Sequence, residues 1–149
     1  MAIGKFPPLL LVMVVVLLSS ECSSVLAIKW SVFKTTVTII NSINSPLHVH
    51  CKSGNDDIGP KVLGHGEQMS WRFVMNFWET TLYWCSMSWV DSNGHQLYGS
   101  GDVFKKHQVK RCQGPHLCRR EARKDGLWAS GDPGNGDQGA YMLFPWSSK

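Results

Sequence analysis

A period of two runs through this chain around two of its cysteines. Leu47-His48-Val49-His50-Cys51 alternates strictly, placing Leu47, Val49 and Cys51 on one face and both histidines on the other. Thr80 to Val90 repeats the pattern over a longer stretch. There Tyr83, Cys85, Met87 and Trp89 share one face, and Leu82, Trp84 and Val90 the other. Such runs fit half-buried strands, and the rest of the chain agrees. Thr35–Asn41 is dense in β-branched residues, Met69, Trp71 and Phe73 alternate with polar neighbours, and Gln96–Phe104 is a weaker, glycine-interrupted strand. Gly126–Ala129 and Ala140–Trp146 read as two further strands joined by the glycine-rich Ser130–Gly139 loop. Asn41–Pro46 supplies turn residues and reads as the bend of a hairpin, and Ser53–Pro60 as a polar loop. Asp91-Ser92-Asn93-Gly94 is a hairpin turn. Short strands without an amphipathic helix predict an all-β fold, an antiparallel β-sandwich of two sheets sharing one core.

The first 27 residues follow a different logic. Lys5 precedes an unbroken apolar run, Leu9–Leu18, and Val25-Leu26-Ala27 supplies small residues at a cleavage site. The run is about half the roughly 20 residues that a membrane span needs. It therefore predicts a signal peptide over 1–27, with Ser24 as the alternative cut, and an extracellular domain over 28–149. No stable membrane insertion is expected. Cleavage would remove Cys22 and leave Cys51, Cys85, Cys112 and Cys118, an even set in an oxidising route. Two disulfides follow, in any of three pairings. His107 and His116 lie near Cys112 and Cys118, but the tight ligand pairs of a zinc site are missing from the spacing, so no metal or other cofactor is expected.

The charge is only mildly basic, at +4, but it is unevenly placed. Between Lys105 and Lys124 stand eight basic residues and one acid, Glu121. That segment reads as a basic binding loop, with Lys105, Lys106, Lys110, Arg111, Arg119 and Arg120 as candidate contacts. Asp56 and Asp57 in the polar loop, and Asn93 in the hairpin turn, are the other candidates. Calcium is a poor fit to the aspartates, because no EF-hand-like spacing follows them. No motif for nucleic acid accompanies the charge. Nor do the histidines and carboxylates fall at a catalytic spacing, so binding rather than enzymatic activity is expected.

Taken in order, these residues resemble a known family. Val37-Thr38-Ile39-Ile40-Asn41, Leu47-His48-Val49-His50-Cys51-Lys52-Ser53 and Asp56-Asp57-Ile58-Gly59 are similar to the opening signature of the plant self-incompatibility protein S1 family. Trp71-Arg72-Phe73, Thr80–Cys85, the Cys112 and Cys118 pair and Asp125-Gly126 continue the likeness. The resemblance implies a small secreted plant β-sandwich with two disulfides and no known catalysis. The founding members are stigma-secreted ligands read by a pollen surface receptor. It thus implies a monomeric extracellular ligand in cell–cell recognition, with an unidentified cell-surface receptor as partner. The alternative is a basic defence or toxin-like protein drawn to membranes or cell-wall polymers. Two departures stand out. Relatives commonly carry Cys-x-Trp at the last cysteine, whereas Arg119-Arg120 follow Cys118 here, leaving Trp128 or Trp146 to fill the space. The Ser130–Gly139 loop is also longer than usual. No Asn-x-Ser/Thr sequon occurs, so N-glycosylation is not expected.

Overall fold

The computed structural model describes residues 34–75, 78, 80–105, 112–113, 116–131 and 139–148. The expected signal peptide lies outside them. So do Lys106, Lys110 and Arg111. The described residues hold no helix. One sheet contains β1 (Lys34–Asn41), β4 (Gln68–Val74), β7 (Leu117–Arg123), β8 (Gly126–Ser130) and β9 (Ala140–Pro145), in the order β4-β1-β7-β8-β9. The other contains β2 (Leu47–Ser53), β3 (Asp57–Leu63), β5 (Leu82–Val90), β6 (Gln96–Lys105) and β10 (Ser147–Ser148), in the order β10-β6-β5-β2-β3. We call these the first and second sheets. The expected all-β sandwich is present, with alternating residues of both sheets supplying the core. From the first come Val37, Ile39, Trp71 and Leu127; from the second come Leu47, Val49, Tyr83, Met87 and Trp89. Aromatic rings meet across the interior, Phe73 lying 4.6 Å from Tyr83 and 4.9 Å from Phe104, ring centre to ring centre.

Three local expectations are corrected. First, Asn41–Pro46 is not a hairpin bend, because β1 and β2 belong to different sheets. The buried Asn41 amide turns the chain across the core. Its Nδ2 donates to the Ser45 carbonyl (2.9 Å) and the Leu63 carbonyl (2.8 Å), while its Oδ1 accepts the Ile43 N–H (2.9 Å). Second, the Ser53–Pro60 loop is shorter than expected, since β3 begins at Asp57. Third, the Lys105–Lys124 segment is not a loop throughout. Its described second half is β7, which lies inside the first sheet, parallel to β1 and antiparallel to β8. β1–β7 is the parallel pair in an otherwise antiparallel arrangement.

Both disulfides form. Cys51 and Cys85 are directly opposite one another on β2 and β5, so their bridge ties two strands of one sheet. Cys112 and Cys118 close the short turn that leads into β7. The chain-entropy argument gives the first, with a separation of 34, about 4 kcal/mol, and the second, with a separation of 6, about 2 kcal/mol. Replacing Cys51 and Cys85 together by serine should therefore lower the urea midpoint more than replacing Cys112 and Cys118. The reverse order would contradict this account of the bridges.

The glycines of β6 have a packing purpose. A Cβ on Gly101 would lie 2.6 Å from Phe144, and one on Gly99 would lie 2.6 Å from Trp146. Trp146 thus seats against β6, while Trp128 is half-buried on β8. Neither indole replaces the expected aromatic after Cys118; the side chain of Arg120 itself enters the core, with no exposed surface. Its Nε donates to the Val103 carbonyl of β6 (2.7 Å), Nη1 to the Arg119 carbonyl (3.0 Å), and Nη2 lies 3.7 Å from Cys112 Sγ. One guanidinium thereby joins the two sheets and the smaller disulfide loop. Arg120→Ala should cost about 3 kcal/mol in urea or thermal unfolding, through the cavity and the abandoned carbonyls. Arg120→Lys keeps the charge but not the planar fork, and should recover less than half of that loss. A loss below about 1 kcal/mol for the alanine variant would place Arg120 among ordinary surface substitutions and contradict the clamp.

Candidate recognition surface

The aspartate pair sits in the turn between β2 and β3, and the local bonding explains why both are needed there. The Ser53 hydroxyl accepts the N–H groups of Asn55 (3.3 Å) and Asp56 (2.9 Å), and the Ser53 N–H donates to the Asp56 carbonyl (2.7 Å). Asp56 then reaches inward, its Oδ2 accepting the Tyr83 hydroxyl at 2.9 Å. Burial, with the Asp56 bond second, pushes that phenol up to about 12. Asp57 reaches sideways to His50 Nε2 (2.6 Å) and Lys52 Nζ (3.4 Å), and accepts the Gly59 N–H at 2.8 Å. Gly59 has φ +79°, a conformation that glycine adopts without strain. The Asp-Asp-x-Gly motif is thus a staple for the turn, and its carboxylates are largely engaged within the chain.

Of the other described candidates, Lys105 pairs with Leu82 at the same end of the second sheet as this pair, and Asn93 lies at the opposite end. Asn93 is exposed in the β5–β6 turn, where Asp91 accepts the N–H groups of Asn93 and His95. Ser53 pairs with Tyr83 at one end of β5, and Val90 pairs with Gln96 at the other. The two turns therefore lie about 25 Å apart along the strands. Lys105 is exposed at the end of β6, Arg119 is exposed on β7, and Arg120 is in the core. Arg120 is corrected from surface contact to internal clamp, because inward alternation on β7 carries Cys118, Arg120 and Ala122 to the same face.

What the structure does gather is an end of the sandwich. A cleft of about 560 Å³ is lined by Ser53, Asn55, Asp56, Arg72, Thr80 and Trp84, among others. Between β4 and β5, at the same end, Trp78 is 78% exposed, and Val74 at the tip of β4 is 53% exposed. Large exposed apolar groups beside a polar cleft mark an interaction surface more than a folding requirement. Sequence reading missed Trp78, whose one signal is that it falls in the break between two alternating runs. Among the described residues, no cluster of three or more His, Cys, Asp or Glu could hold a metal ion. No described helix is long and apolar enough to cross a membrane.

Comparison with known proteins agrees with this architecture. Residues 36–146 match the family described as Plant self-incompatibility protein S1. The chain is 35% identical over 114 residues to S-protein homolog 24 of Arabidopsis thaliana, a match covering 75% of this chain and 69% of the relative. S-protein homolog 28 of the same plant is 33% identical over 143 residues, covering 91% of this chain and 87% of the relative. S-protein homolog 2 is 40% identical over 120 residues, covering 76% and 69%. A solved structure of SPH (self-incompatibility protein homologue) proteins, described as a widespread family of small, highly stable, secreted proteins from plants, shares the fold. Its TM-score is 0.51 at 18% identity, and the match covers 80% of this chain and 99% of that one. The chain belongs to the plant self-incompatibility protein S1 family.

The turn staple has a pH signature. The His50 hydrogen bond, then that of the Gly59 N–H, holds Asp57 down from 3.8 to about 2. The folded value lies below the unfolded one, so the stability this carboxylate adds is present above about pH 4 and is lost as the pH falls toward 2. Thermal unfolding across that window should show a steeper loss for the parent protein than for Asp57→Asn. Parallel curves would contradict the pairing.

Proposed function

We propose that this protein is secreted after removal of residues 1–27 and acts outside the cell as a monomeric ligand, read by a cell-surface receptor protein through the cleft end of its sandwich. Binding, not catalysis, is its activity. The observation that carries the reading is Trp78, a large indole left exposed beside a polar cleft on an otherwise disulfide-braced scaffold. Exposed tryptophans of this kind anchor protein interfaces, because they bury much area at little conformational cost. Loops on a rigid sandwich can vary without disturbing the core, which suits a ligand that must be told apart from its relatives. The family's description as self-incompatibility proteins agrees with a role in recognition.

The test is saturable binding of labelled, oxidatively folded protein to cells of different tissues at low and high salt. Binding should saturate on one cell type and persist at high salt, and Trp78→Ala should weaken it about tenfold or more without shifting the melting temperature. Uniform binding that vanishes with salt and ignores Trp78→Ala would contradict the proposal.

A further inference from the structure

The outer face of the first sheet carries a charge pattern of which the end cleft takes in only Arg72. Register places Val74 beside Lys34, Arg72 beside Thr36 and Leu117, and Ser70 beside Thr38 and Arg119 in successive rows. The next row joins Gln68, Ile40, Glu121, Trp128 and Met142. Lys34, Arg72 and Arg119 are exposed, and among the described residues none of the three forms an ion pair. Among the described residues of these rows the one acid is Glu121, and it is already engaged: Arg123 donates to it at 2.7 Å and the Ser42 hydroxyl at 2.7 Å, while Asp125, in the β7–β8 turn, accepts the Trp128 indole N–H at 2.9 Å. Arg123 in turn lies over the Trp128 ring, 5.1 Å from its centre. The remaining charge is therefore positive and spread across three neighbouring strands.

The spacing narrows the ligand. Arg72 and Arg119 lie two strands and one row apart, which puts their Cα atoms about 12 Å from each other. Between them run the hydroxyls of Thr36, Thr38 and Ser70, the last two 2.8 Å apart. Each guanidinium can grip a carboxylate with two parallel hydrogen bonds, and the intervening hydroxyls suit hydroxyl groups. A membrane surface would want a continuous apolar strip among the cations, whereas the exposed apolar residues of the Lys34, Arg72 and Arg119 rows, Val74 beside Lys34 and Leu117 in the Arg72 row, stand apart on β4 and β7.

We propose that this face binds a linear polymer of acidic sugars, a polyuronate, laid across β4, β1 and β7 with its carboxylates on Arg72 and Arg119 and Lys34 adding attraction at one end. The site shares Arg72 with the end cleft, whereas Trp78, in the β4–β5 connection, lies outside its rows.

The full chain, produced through a secretory host, would be titrated with polygalacturonate, with the same polymer fully methyl-esterified, and with phosphatidylserine vesicles. Binding to polygalacturonate and none to the ester is expected. Arg72→Gln with Arg119→Gln should weaken it about tenfold or more, and Lys52→Gln with Lys61→Gln, which removes equal charge from the second sheet, about twofold at most. Unchanged melting temperatures confirm that each variant is folded. Equal weakening by the two double variants would reduce the effect to net charge and overturn the proposal. Equal binding of the ester, or binding to vesicles but not to polygalacturonate, would overturn it as well.

Discussion

A guanidinium in the interior governs how this sandwich is assembled. Arg120 enters the core from β7 of one sheet, bonds a carbonyl of β6 in the other, and lies against a sulfur of the Cys112–Cys118 bridge. Sheet-on-sheet packing by apolar side chains is tolerant of small sliding, whereas hydrogen bonds from a planar fork are directional. A buried charge without such bonds would be very costly, so the fold that satisfies Arg120 is strongly favoured over alternatives that would strand it. The small disulfide gains its place from the same arrangement, because its loop delivers Cys112 to the guanidinium just before the chain enters β7.

Much of the fold was legible in the sequence, and the exceptions share a cause. Alternation gave the faces of β2 and β5 correctly, down to the inward Cys51 and Cys85 and the outward histidines. It failed at β7, where the same alternation is present but the inward position holds an arginine, so hydropathy read a core strand as a basic loop. It failed again at Asn41–Pro46, where turn residues announce a change of direction but not whether the chain returns to the same sheet. That choice is made by the Asn41 amide, whose partners include Leu63, far away in the chain. The parallel pairing of β1 with β7 is likewise a non-local contact that no local pattern encodes.

The candidate residues were legible as types and less so as roles. Asp56 and Asp57 look like free surface charge in the sequence, yet one holds a core tyrosine and the other a strand histidine. Arg119 and Arg120 are adjacent and chemically identical, and one strand sends them to opposite sides of the sheet. Once the engaged groups are set aside, two surfaces that meet at Arg72 stand out among the described residues: the end cleft with Trp78, and the cationic face of the first sheet. A scaffold of this kind can change its exposed residues while its clamp, crossover and staple stay the same.

The most direct measurement of the central claim is hydrogen exchange at the Arg120 side chain, followed by NMR on the oxidised protein. With its Nε–H donated to Val103 inside the core, that proton should exchange far more slowly than those of exposed Arg72 and Arg119. Exchange as fast as theirs would show that the guanidinium reaches solvent and that the two sheets are held together by something else.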